Sequence, residues 1–103
     1  SNGPCAQDYL TILKGYYDEV VLKMKELGID KKTSPEALSL LEKSEKSIAK
    51  ISDLIKKNIK ADTLIPLLKD SKLIISRLDN ILADIINSRT YKVGEGVNSK
   101  KAE

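Results

Sequence analysis

The chain contains no histidine, no tryptophan and no phenylalanine, and it has one cysteine, one methionine, three prolines and four tyrosines in 103 residues. Each scarcity removes a class of chemistry. Without histidine there is no Ser-His-Asp or Cys-His nucleophile system, no imidazole metal ligand, and no side chain whose ordinary pKa lies near neutrality. A single cysteine neither completes a Cys-rich zinc site nor closes an intramolecular disulfide. Catalysis would fall to carboxylates, Lys, Tyr, Ser and Thr, which also cover the outside of any helical protein. No enzyme activity and no cofactor are therefore expected.

What is present is aliphatic. Thirty residues are Leu, Ile or Val, enough for one small core and too few for two. The charges are mixed, 18 basic against 15 acidic for a net +3, and no segment forms a basic stripe with stacking aromatics, so nucleic acid is not an expected partner. No run approaches the 18 or more apolar residues of a membrane span. The expectation is a small soluble domain without a transmembrane segment.

Both ends differ from the middle. Ser1-Asn2-Gly3 reads as a cleavage scar, and residues 1–5 as that scar with an N-terminal extension. Cys5 so near the start is where a bacterial lipoprotein would carry its lipid, although Pro4 stands where a lipobox has a small residue. Export or lipid anchoring is one reading, an incidental thiol the other, and localisation stays open. Residues 89–103 hold two glycines, four basic residues and only two aliphatics, which predicts a flexible tail; docking of Tyr91, Val93 and Val97 as an extended segment is the alternative.

Between these ends the apolar residues recur at helical spacing. Tyr9, Leu13, Tyr16, Val20, Met24 and Leu27 step by fours and threes, widened by Leu10, Tyr17 and Val21, and Gly28 stands where a left-handed C-cap is expected. The second helix opens on Ser34 as N-cap, Pro35 in the first turn and Glu36 at the positive end of the dipole. Its seam is Ala37, Leu41, Ser44, Ile48, Ile51 and Ile55, with Glu42 and Lys46, and Asp53 and Lys57, as i,i+4 pairs outside. The third follows Asp62-Thr63, since Pro66 belongs in a first turn, and repeats the spacing through Leu64, Leu68, Ser71, Ile75, Leu78, Leu82 and Ile85. Helices over 6–27, 35–58 and 63–88 with short connections predict an all-α, up-down-up antiparallel three-helix bundle in one domain, 6–88.

Few residues break this pattern. Ser44 and Ser71 occupy seam positions; a small residue lets helices approach, and its hydroxyl can bond back to its own helix. With the second turn near residue 60 they sit at different levels, which argues against a shared polar site. The carboxylates lie on polar faces without the inward Glu-x-x-His of a di-metal bundle, so no metal is expected. Tyr16 and Tyr17 read as core-edge residues, or as the lining of a groove. Leu22, Leu38, Ile65 and Leu73 point outward in this register. Leu22 and Leu38 would meet across the first two helices as a partner surface, with Leu73 a further candidate and weak homo-oligomerisation an alternative use. The function expected is non-catalytic protein–protein interaction; a lipid-anchored surface protein tethered near Cys5 and a toxin-neutralising immunity or inhibitor protein are the alternatives.

Overall fold

The computed structural model describes the backbone of residues 3–102, with side chains described from Ala6 to Thr90. Three helices, α1 (Gly3–Leu27), α2 (Pro35–Lys56) and α3 (Ala61–Ala102), pack each against the other two. Among the described residues there is no strand. The bundle runs up-down-up, so α1 and α3 are parallel: Lys23 meets Asp79 and Leu27 meets Arg89 in the same order along both helices.

The core is the predicted aliphatic seam. Leu10, Leu13, Val20 and Met24 from α1, Ala37, Ile48 and Ile51 from α2, and Leu64, Leu68, Ile75, Leu78 and Leu82 from α3 are buried together. On α1 the buried line is Ala6, Leu10, Leu13, Val20 and Met24 with Tyr17 half-buried. This line is rotated toward Leu10 and Tyr17 from the predicted one. Leu10, Leu13, Val20, Met24 and the small Ala6 fit the narrow space between two neighbours, whereas Tyr9 and Tyr16 keep their phenols wet at its edge.

The two turns use one device. After α1, Gly28 is left-handed (φ 65°), its N–H donates to the Lys25 carbonyl and the Ile29 N–H to the Met24 carbonyl. After α2, Asn58 takes the same conformation (φ 59°), with Asn58 N–H donating to Ile55 and Ile59 N–H to Leu54. Both are Schellman closures, and each brings an isoleucine down onto the core. Asparagine is among the few residues besides glycine that visit this region readily, so α2 ends at Lys56 and not at 58.

Entry into α2 follows the sequence. The Ser34 side chain accepts from the Ala37 N–H at 3.1 Å, with Pro35 in the first turn. The turn before it is organised by Asp30, whose Oδ1 accepts from the N–H groups of Lys32 and Thr33 and from the Thr33 hydroxyl. These donors favour the ionised form, with the Thr33 N–H first, and hold the Asp30 carboxyl below its ordinary pKa.

Other boundaries depart from expectation. α1 already includes Gly3, with Pro4 in a first turn where no N–H is needed. α3 begins at Ala61, so Pro66 lies in its second turn and supplies no N–H to the Asp62 carbonyl. Pro66 and Asp62 are both exposed, leaving that carbonyl to water. The helix also passes the predicted stop at Ser88 and continues to Ala102. Only two aliphatics follow Ile86, but no proline interrupts the backbone hydrogen-bond ladder in that stretch. Arg89, which the sequence assigned to the tail, reaches back to donate to the Leu27 carbonyl at 2.8 Å, closing the C-terminal end of α1. The side chains of Tyr91, Val93 and Val97 lie outside the described residues.

The seam serines are buried, as their positions required. Ser44 bonds back to the Leu41 carbonyl at 2.8 Å. Ser71 instead pairs its hydroxyl with that of Ser47 across the α2–α3 interface. Every buried side-chain polar atom among the described residues has a partner.

Candidate functional site

The rotation of α1 has a direct consequence for its surface. Tyr9, Ile12 and Tyr16 are left on the flank that faces α3, exposed by 62, 52 and 44%. Across from them α3 presents Ile65, 43% exposed, then Lys69 and Lys72. Leu13 and Leu68 form the floor between the two rims. The result is a groove of about 410 Å³ whose lining is mostly apolar.

The groove continues along the same parallel seam. A second concavity of about 250 Å³ lies beyond Tyr16, lined by Glu19, Lys23, Lys72, Ser76 and Asp79 over Val20 and Ile75. Here Lys23 Nζ and Asp79 Oδ1 bridge the helices at 3.0 Å, half-exposed on both sides. Tyr9, Tyr16 and Lys23 are seven residues apart, as are Ile65, Lys72 and Asp79. Every second turn therefore returns to the rim, and its chemistry passes from apolar to ionic along the molecule. Lys69 and Lys72 make no ion pair among the described residues, where the bridges are Lys23–Asp79, Glu42–Lys46 and Asp53–Lys57.

The surface residues expected from the sequence do not converge on one face. Leu22 and Leu73 are exposed, but each lies about 180° around its helix from the core direction, on the outer ridges of α1 and α3. Leu38 is half-buried and packs against the core; it sits in the first turn of α2, next to the fully buried Ala37. Ile65 was the one pattern-breaking residue that belongs to the groove. Tyr9 and Ile12 were missed as site residues because one helical wheel does not reveal which edge of a broad stripe a second helix covers. The side chain of Cys5 lies outside the described residues, and its backbone is in the first turn of α1.

Shifted ionisable groups lie elsewhere and have local causes. Burial, then the neighbouring carboxylates Glu45 and Asp18, raise the Tyr17 hydroxyl above its ordinary pKa, which keeps the phenol neutral. The Lys46 ammonium, by hydrogen bond and charge, lowers the Glu42 carboxyl and is itself raised by it, on the exposed face of α2. None of these groups lines the groove. Among the described residues no three His, Cys, Asp or Glu side chains come together as a metal site, and no helix is long and apolar enough to cross a membrane.

Comparison with protein-family models, with curated proteins and with solved structures finds no match for this chain.

Proposed function

We propose that the chain is a non-catalytic binding module that takes a protein partner on the α1–α3 face. The observation that carries the reading is the clustering of Tyr9, Ile12, Tyr16 and Ile65, all exposed, along both rims of one apolar-floored groove. Exposed aliphatics scattered singly are ordinary, but adjacent ones rimmed by polar groups are characteristic of interaction surfaces. Tyrosines contribute large area at little entropic cost, and they retain a hydroxyl for the wet rim. An immunity or inhibitor protein would be one instance of such a module.

The test is differential capture from native cell extract. Immobilised wild-type chain is compared with an Ile12→Glu/Ile65→Glu variant and with Leu22→Glu, each verified as folded by circular dichroism. A partner retained by the wild type and by Leu22→Glu, and lost by the groove variant, is the expected result. Identical retention by all three would remove the groove as the binding face.

A further inference from the structure

The charge on the groove is asymmetric, and that asymmetry points to the chemistry of what fills it. The α3 rim carries Lys69 and Lys72, three residues apart on one face and neither held in an ion pair among the described residues. The α1 rim opposite carries Tyr9, Ile12 and Tyr16, which have no charge. The acidic side chains lining the seam, Glu19 and Asp79, belong to the next concavity, which Lys72 also borders without pairing to either. An occupant therefore meets apolar surface at the centre, phenols on one side and two ammonium groups on the other.

Shape narrows the choice further. The two walls are parallel helices in constant register, and from Tyr9 to Lys23 the seam spans about 21 Å at 1.5 Å per residue. A straight channel between two helices accepts a third laid along it, with anchors at i, i+3, i+4 and i+7. A second copy of this chain fits poorly. A two-fold axis across the helices sets the Lys69–Lys72 rim against its own copy, and one along them aligns four helix dipoles in parallel.

We propose that the α1–α3 groove binds an amphipathic helix of a partner protein whose apolar stripe is flanked, on the α3 side, by Asp or Glu residues that pair with Lys69 and Lys72. This deepens the binding-module reading and rests on it. The apolar floor supplies burial, and the two lysines set the orientation and reject basic helices.

Two synthetic 18-residue helical peptides serve as probes, sharing one Leu stripe and flanked along one edge by Glu in the first and Lys in the second. Binding is followed by the methyl resonances of Ile12 and Ile65 at low salt. The Glu peptide is expected to shift both methyls and to bind at least about ten-fold more tightly than the Lys peptide, a ratio that shrinks as salt screens the charges. A Lys69→Glu/Lys72→Glu variant, checked for an unchanged melting curve, is expected to reverse the preference. Equal affinities would overturn the acidic-helix inference while leaving the binding face intact. Failure of the Glu peptide to shift the methyls would overturn it too, and the capture experiment then decides the binding-module reading separately. Sedimentation of the free chain as a dimer that Ile12→Glu dissociates would also overturn it, assigning the groove to a second copy.

Discussion

Gly15 and Gly28 make opposite demands on a side chain. Gly15 lies inside α1 with nothing within 4 Å of where a Cβ would stand, whereas Gly28 holds φ at 65°. Gly15→Ala is accordingly expected to stabilise the fold by up to about 1 kcal/mol, and Gly28→Ala to destabilise it by a similar amount, in urea titrations monitored by circular dichroism. Asp30 offers a pH test. Its carboxyl is held below the ordinary value by donors that exist only in the folded turn. The stability it contributes is present above the unfolded-state pKa and is lost as pH falls through the folded one. The difference in melting temperature between wild type and Asp30→Ala should therefore be constant near neutrality and shrink in acid. Asn58 and Asp30 were not legible as turn residues, because their roles depend on which carbonyls and amides the neighbouring helix ends leave open. Ser34, Pro35 and Gly28 were, because their effect is local.

At the scale of the element, most of the pattern could be read directly. The α2 and α3 seams matched at most positions, including the two small serines, since heptad spacing determines a buried face whatever covers it; Leu41 and Ile55 are half-buried at its edge, and Ile85 lies outside the core cluster. On α1 the apolar arc was broader than one line; Tyr16 was legible as its edge, but only the positions of α2 and α3 decided that Tyr9 would be left outside with it. The groove was legible only through Tyr16, a candidate lining residue, for the same reason. It belongs to no single helix and appears only when α1 and α3 are set side by side. Pro66 is the clearest conflict between element and residue. In the second turn of α3 it deprives the Asp62 carbonyl of a donor, and the pyrrolidine ring crowds the preceding turn. Pro66→Ala is expected to raise stability by about 1–3 kcal/mol, read as a higher urea midpoint at unchanged slope.

For the molecule as a whole, two of the three interfaces join helices consecutive in sequence, and the third joins its first helix to its last. Lys23 and Asp79, the ion pair that spans this third interface, are 56 residues apart. Both are about half-exposed, so a double-mutant cycle with Lys23→Ala and Asp79→Ala is expected to give a coupling of about 0.2–1 kcal/mol that falls with added salt. The parallel pairing also bears on the order of assembly. Neighbouring helices can collapse as hairpins across short turns, while α1 and α3 meet only after a far longer loop is closed, at an entropic cost that local contacts do not carry. The same two substitutions should then accelerate unfolding and leave the refolding rate nearly unchanged. In kinetic terms, the face that carries the groove is then expected to close last and to open first.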